Sequence, residues 1–345
     1  MAAVQLRDVI LGEGRTKIIV PTTAERSNEL AEQAVKAAQA GADVVEWRVD
    51  YLLEDEELLG ALDILADSTP LPILATFRTA DEGGKEIDVH DYRDMLLALA
   101  RSGKVSAIDV EAFRDATAVR EIVDGAHNEG VAVVTSYHDF RGTPPAESIA
   151  SRFSAMDTLG ADILKLACMP ASVEDLLLLL GATREASQTF DRPLITMAMG
   201  PIGVVSRIAG AVFGSCATFA SVGRASAPGQ VPAVELRPFL DALTRWSAGA
   251  ASARSRLRGV FGVLGKNVLH AFTSHDPSSR TLTDRHDTGT RQVIVIRRHR
   301  TPVGPGDWNR QNVSGFQIFR QRHVAHHNVP AFAVFAYDPA PDTRG

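Results

Sequence analysis

KIIVPTTAERSNELAEQAVKAAQAGADVVEWRVD, residues 17–50, reads as strand, helix, strand. Lys17–Thr23 is a short run rich in Ile and Val, residue types that pack well on a pleated surface. From Ala24 to Ala42 the chain is rich in Ala, Leu and Glu with apolar residues three and four apart, the spacing of one helix face. Gly41 closes that stretch as a C-terminal cap. Val44–Asp50 then returns to a strand pattern. The same alternation continues along the chain. Further β-rich runs fall at Ile73–Arg78, Ala107–Glu111, Ala132–His138, Ile163–Cys168, Leu194–Met199 and Ala217–Val222, with helical stretches such as VHDYRDMLLALARSG between most of them. Gly103, Gly130 and Gly160 mark further helix ends. Eight strand–helix units in roughly 230 residues predict an α/β fold, a (β/α)8 TIM barrel. A doubly wound open sheet is the rival, but it usually has fewer strands and a Gly-rich turn after the first, and Val20-Pro21-Thr22-Thr23 is not such a turn.

Upstream, VQLRDVILGEGRTKIIV predicts a β-hairpin around Gly12-Glu13-Gly14, placed to plug the bottom of the barrel. Downstream, the composition changes. The whole chain of 345 residues carries a net charge of −6, but from Ala250 onward there are 14 Lys and Arg, six Asp and no Glu, which leaves the preceding part near −14. Seven of the ten histidines also lie there. Two domains are expected: a barrel over 1–249, and a basic, His-rich, largely irregular extension over 250–345, disordered or a vestigial fusion remnant, in which VIVIRRHR and FAVFAY stand as isolated strand-like pieces.

The composition excludes several classes. Hydrophobic residues at 45% and charged residues at 23% fit a globular chain with a sizeable core and exclude collagen, coiled coil and wholesale disorder. The two cysteines, Cys168 and Cys216, exclude a disulfide scaffold and suit a reducing cytoplasm. No signal peptide is evident at the N-terminus. The longest apolar stretch, Ile208–Val222, is too short and too broken by glycine and serine to span a bilayer, so no membrane partner is expected. The scattered histidines of the extension lack metal-ligand spacing, and its basic character comes without a nucleic-acid-binding motif.

Polar residues gather where the predicted strands end. The chain has six lysines, and Lys165 lies inside the apolar strand ADILKLACM. A buried amine is either neutral or paired, and a desolvated lysine is a nucleophile toward carbonyls; the alternative is a structural ion pair. In VEWRVD the charges Glu46, Arg48 and Asp50 recur at every second position, so they share one strand face and must pair with each other or meet a polar ligand. Arg78 ends the third strand before the acidic, Gly-containing loop of Asp81, Glu82, Gly83 and Gly84, and its fork suits a carboxylate. His138 ends the fifth strand, one unit before Lys165, and can serve as acid or base near neutral pH. Arg207 follows the seventh strand, and Ser226–Gln230 forms a Pro/Gly loop after the eighth. Barrel active sites are built at these C-terminal strand ends.

The segments EWRVD, TFRTADEGG, SYHDF, ILKLA, TMAMGPIGVVSRIAGAVFGS and ASAPGQ, in this order and spacing, closely resemble type I 3-dehydroquinate dehydratase over about Val4–Ser247. The resemblance implies a hydro-lyase of the shikimate pathway, with 3-dehydroquinate as substrate and no metal or organic cofactor. It places the Schiff-base lysine on Lys165, the general acid–base histidine on His138 and its assisting carboxylate on Glu82. It places substrate binding on Glu46, Arg48, Arg78, Arg207, Ser226 and Gln230, and the apolar wall on Met197, Met199 and Phe219. In the implied reaction Lys165 condenses with the C3 ketone, His138 removes a C2 proton and then protonates the departing C1 hydroxyl, and Arg207 holds the substrate carboxylate. A cytoplasmic homodimer is also implied. Residues 260–271, VFGVLGKNVLHA, are faintly similar to the opening of shikimate dehydrogenase, but the similarity lapses after His270. Without the resemblance, another class I Schiff-base barrel such as an aldolase, or a non-catalytic barrel, remains open; the first would not require three arginines and the Ser226–Gln230 lid.

Overall fold

The computed structural model describes residues 3–246 and the backbone of four strands between residues 280 and 319. The chain divides into two units, Met1–Ala251 and Ser252–Gly345.

The first unit opens with β1 (Val4–Leu6) and β2 (Val9–Leu11), an antiparallel hairpin in which Leu6 pairs with Val9. Its turn is Arg7-Asp8, with Arg7 at φ 53, and not the Gly12–Gly14 stretch that the sequence suggested. Gly12 and Gly14, both at positive φ, instead lead the chain from the hairpin into the barrel. A non-glycine residue accepting the left-handed region is uncommon, which is why the glycines were the stronger sequence signal.

Eight parallel strands then alternate with helices: β3 (Lys17–Thr22), α1 (Ser27–Gln39), β4 (Val44–Arg48), α2 (Leu58–Ser68), β5 (Ile73–Thr76), α3 (Val89–Arg101), β6 (Ala107–Glu111), α4 (Ala116–Asn128), β7 (Ala132–Asp139), α5 (Ala146–Thr158), β8 (Ile163–Cys168), α6 (Val173–Thr189), β9 (Leu194–Ala198), α7 (Gly200–Phe213) and β10 (Ala217–Ser221). An eighth helix, α8, runs over 233–246. The ladder is β10-β3-β4-β5-β6-β7-β8-β9, with the two-residue β11 (Val231–Pro232) added parallel to β10. The ring closes through Cys216, whose N–H donates to the Leu194 carbonyl at 2.8 Å and whose carbonyl accepts from Lys17 N–H at 3.1 Å. This is the (β/α)8 barrel. Several helices begin on side-chain caps: Asp115 accepts from the N–H groups of Thr117 and Ala118, and Ser172 from that of Asp175, each satisfying donors that the first turn leaves free.

Period-two alternation sends the strand side chains to two environments. Outward, Val45, Trp47, Ile73 and Ile108 pack against Leu30, Leu62, Leu65, Leu96 and Ile122 of the helices. A second arc packs Leu164, Leu166 and Cys168 against Ile149, Phe153, Leu176 and Leu179. Inward, Val44, Leu74, Ala107, Val134 and Ile163 meet Leu6 and Leu11 of the hairpin, which therefore stoppers the end of the barrel where the strands begin. Each of those two leucines, at 2% and 1% exposure, contributes about 2 kcal/mol of apolar burial. The inner residues toward the strand ends are polar, and they form the site described below.

In the second unit, β12 (Arg280–Arg285), β13 (Arg291–Arg298), β14 (Gln311–Val313) and β15 (Phe316–Phe319) form an antiparallel sheet in the order β12-β13-β15-β14. VIVIRRHR is thus not an isolated piece: β13 pairs with β12 and β15. FAVFAY, the segment 260–271 and the rest of the expected irregular extension lie outside the described residues. Among the described residues no helix is long and apolar enough to cross a membrane.

Candidate active site

Lys165 sits at the third position of β8 and points into the barrel, 3% exposed. Its Nζ donates to Asp109 Oδ2 at 2.8 Å, lies 3.6 Å from Glu46 Oε1 and stands 4.5 Å from the centre of the Phe219 ring. Of the two states open to a buried amine, the geometry gives the paired one.

Asp109 comes from β6 and is fully buried. Its Oδ1 accepts from Arg78 at 2.7 Å and from Ser136 Oγ at 2.6 Å. Burial opposes its ionisation, yet the Arg78 guanidinium and the Lys165 ammonium hold its carboxyl well below the ordinary carboxylate range. Arg78 also donates to Glu82 at 3.2 Å, Glu111 at 3.0 Å and Ser136 at 3.0 Å. Its guanidinium borders the cavity, but its donors are committed to the barrel's own acids. Glu111 in turn accepts from Thr79 N–H and Oγ1 at 2.8 and 2.6 Å.

The loop after β5 carries Glu82 beneath His138. It folds back through Gly84, whose N–H donates to Thr79 O at 2.7 Å. A Cβ on Gly84 would lie 1.8 Å from the Arg78 carbonyl oxygen, so only glycine permits the approach. Glu82 Oε2 accepts from the His138 backbone N–H at 3.1 Å and lies 2.8 Å from Nδ1 of the same residue. Burial pushes the Glu82 carboxyl up to about 8, against the pull of Arg78. Burial, joined by Arg78 and Lys165, pushes the imidazole of His138 well below its ordinary value. The pair therefore resists carrying charge, and Oε2 and Nδ1 stand at hydrogen-bond distance. In the tautomer that carries its proton on Nδ1, Nε2 holds a free lone pair.

Arg48 makes a two-point pair with Asp50, Nε to Oδ1 at 2.8 Å and Nη2 to Oδ2 at 2.7 Å. Glu46 does not join that pair; its Oε1 accepts from Thr76 Oγ1 at 3.0 Å.

Arg207 stands on the opposite wall, on α7. It is 1% exposed, yet among the described residues it pairs with no carboxylate. Its Nη1 donates to the Phe219 carbonyl at 3.3 Å and its Nη2 to the Pro228 carbonyl at 3.1 Å, while Nε has no partner. Burial alone lowers it to about 10. The helix is held close to β9: Ser206 Oγ accepts from Ala198 N–H at 2.9 Å, and a Cβ on Gly203 would lie 2.2 Å from the Ala198 carbonyl oxygen. Beside it, Ser226 and Gln230 close a small loop on themselves, Ser226 N–H to Gln230 Oε1 and Gln230 Nε2 to Ser226 Oγ, both at 3.0 Å.

The nine residues to which the family resemblance assigns catalysis or substrate binding border one cavity, with Met197, Met199, Phe219 and Phe140 on its apolar surface; Asp50, the third charge of VEWRVD, does not border it. Sequence reasoning missed Asp109, Glu111, Thr76, Thr79 and Ser136. The signal was present for the first two: Asp109 and Glu111 alternate in AIDVE just as Glu46 and Arg48 do in VEWRVD. Among the described residues no three His, Cys, Asp or Glu side chains are arranged to hold a metal ion.

A parallel barrel whose C-terminal mouth gathers a buried lysine, a histidine–glutamate pair and an unpaired arginine has the makeup of a barrel enzyme acting on an anionic carbonyl compound. The family model described as Type I 3-dehydroquinase matches residues 18–246, and the chain belongs to that family. It is similar to the 3-dehydroquinate dehydratase of Listeria welshimeri, 45% identical over 249 residues that cover 70% of this chain and 98% of the relative. A Klebsiella pneumoniae 3-dehydroquinate dehydratase is 43% identical over 248 residues, 70% of this chain and 99% of that one. Among solved structures, the Clostridium difficile type I 3-dehydroquinate dehydratase with covalently modified comenic acid gives a TM-score of 0.68 at 38% identity, covering 71% of this chain and 98% of that one. The Geobacillus kaustophilus 3-dehydroquinate dehydratase gives 0.69 at 34% identity, with the same coverage.

Proposed function

We propose that this chain is a 3-dehydroquinate dehydratase that works through a Schiff base on Lys165. The observation that carries the reading is the content of one cavity: a buried amine, an imidazole with one ring nitrogen left free, and a buried guanidinium with no carboxylate. Arg207 supplies what the carboxylate of the substrate needs. An unpaired buried cation is costly in the free enzyme, and an anionic ligand relieves that cost on binding. The ketone carbon then meets Lys165 Nζ. His138 Nε2 takes a proton from the Lys165 ammonium, the freed amine adds to the carbonyl carbon, a second nitrogen proton passes to the carbonyl oxygen, and His138 returns its proton to that hydroxyl, which leaves as water and gives an iminium. The iminium draws electrons from the adjacent carbon, and His138 Nε2 takes the proton there, giving an enamine. The electron pair returns to expel the C1 hydroxyl, which leaves as water with the proton held by His138. Hydrolysis of the remaining iminium frees 3-dehydroshikimate and the amine. Glu82 holds Nδ1 of His138 and so fixes the ring. Arg48, Glu46 and Gln230 border the same cavity as polar partners for ring hydroxyls, and the Ser226–Gln230 loop covers it.

The reading includes a place in the shikimate pathway, a cytoplasmic setting and a homodimer, as the family resemblance implies. It confines the activity to residues 1–249. Appearance of the conjugated enone product by ultraviolet absorbance tests it: the wild-type chain dehydrates 3-dehydroquinate, and Lys165→Ala does not. Substantial turnover by Lys165→Ala would remove the mechanism. Light scattering on the purified chain checks the dimer.

A further inference from the structure

We propose that Asp109 is the counter-ion of the reacting nitrogen, paired with Lys165 Nζ as an ammonium and held against the same atom when it becomes an iminium. The inference rests on the Schiff-base reading above. Its ground is a division of labour within one carboxylate. Oδ1 is fixed by Arg78 at 2.7 Å and Ser136 at 2.6 Å, and this leaves Oδ2 for Nζ at 2.8 Å. A carboxylate clamped on one oxygen and presented on the other keeps its position when the lysine reacts.

The charge balance of the step makes the role specific. A ketone and an alkylammonium give an iminium and water, so the nitrogen is a cation before and after, and no external acid is consumed. A fixed anion beside that nitrogen favours both cationic forms over a neutral amine or neutral imine. Asp109 is also unsuited to the rival role of base, since Arg78 and Lys165 hold it ionised against burial. Other charged groups face the same space. Glu46 stands at 3.6 Å from Nζ with its Oε1 already accepting from Thr76. Arg48, Arg78, Glu82, His138 and Arg207 border the cavity from their own elements, while β9 and β10 bring the uncharged Met197 and the Phe219 ring, and Met199 follows β9. Asp109 is the acid in direct hydrogen-bond contact with Nζ.

The test is borohydride trapping of the full-length chain with 3-dehydroquinate between pH 6 and 10, with the adduct on Lys165 quantified by peptide mass. Trapping declines at high pH as the reducible iminium loses its proton. Asp109→Asn, checked for folding by circular dichroism, is expected to trap about tenfold less at pH 7, and its alkaline decline to begin about one pH unit lower. Ser136→Ala, which keeps the charge, is expected to leave that decline in place. A uniform loss of adduct in Asp109→Asn with no displacement of the decline would assign Asp109 a merely structural role, and a wild-type profile would leave it none. Absence of adduct in the wild-type chain would instead sink the Schiff-base reading itself. One measurement needs no variant: the ¹³C shift of bound, carbonyl-labelled ligand should report a protonated imine to about one pH unit above a free alkylimine of the same ketone. Deprotonation at or below the pH of the free imine overturns the proposal.

Discussion

Arg207 is a buried charge that no carboxylate among the described residues balances. Two backbone carbonyls accept from it and no carboxylate does, so its cost in the free enzyme should be recovered only with an anion bound. Arg207→Met should therefore raise KM about 100-fold, roughly 3 kcal/mol of lost ion pairing. The unliganded variant should melt no lower than the wild type, since an unpaired buried charge has been replaced by an apolar chain. Parallel steady-state kinetics and thermal melts read both quantities. Glu82 gives a prediction with a pH sign. Its carboxyl is raised from 4.5 to about 8 in the folded chain, so the folded state binds that proton more tightly than the unfolded state. Stability is then lost as pH climbs from about 4.5 toward 8. Glu82→Gln, which cannot ionise, should melt at least about 3 °C above the wild type at pH 8.5, with the gap closing toward pH 4.5. A constant gap across pH would contradict the burial argument. At this scale the sequence was legible where a charge interrupted an apolar run, as at Lys165. It was not legible for Ser136, Thr76 or Thr79, because a hydroxyl in a strand is ordinary and reveals nothing until its partner across the barrel is known.

The elements depend on a few close approaches of backbone. α7 lies against β9 at Gly203, where a Cβ would come within 2.2 Å of a carbonyl oxygen. Gly203→Ala should lower stability by about 2 kcal/mol or more and raise KM, because the same displacement moves Arg207, four residues along the helix. A melt and a kinetic titration of one variant check both. The hairpin at the opposite end makes a separate prediction: Leu11→Ala should cost about 2–4 kcal/mol in a denaturant melt while leaving KM unchanged, because it empties the stopper and not the mouth. Strands and helices were readable from periodicity and from the terminal glycines. Gly41, Gly103, Gly130 and Gly160 all adopt positive φ, as helix C-caps require. The hairpin turn was misplaced because Arg7 adopts a conformation that sequence reasoning assigns to glycine. Strand ends at Arg48 and Thr76 fall short of the expected Asp50 and Arg78: the chain there leaves the ladder for the tight turns Val49–Tyr51 and Ala80–Glu82, and a turn of three residues carries no period to read.

At the scale of the whole molecule, the (β/α)8 barrel closes within residues 17–246, and every residue of the cavity lies inside that span. A chain ending at residue 249 should therefore fold and turn over within about twofold of the full-length rate. Failure of the truncated chain to fold would show that the barrel depends on the residues beyond. The parallel topology places the strand ends at one mouth, so the eightfold alternation made the fold and the gathering of polar strand ends legible, while the role of each residue rested on the family resemblance. What the alternation could not supply was the fourth strand's part in the site, since Asp109 and Glu111 were passed over as an unremarked strand. In the proposed mechanism Lys165 is the nucleophile toward 3-dehydroquinate. Borohydride reduction of the wild-type chain in the presence of that compound, followed by intact mass and peptide mapping, tests it most directly. One reduced adduct per chain, on Lys165, is expected; folded protein that yields no adduct, or an adduct on another lysine, would rule that role out.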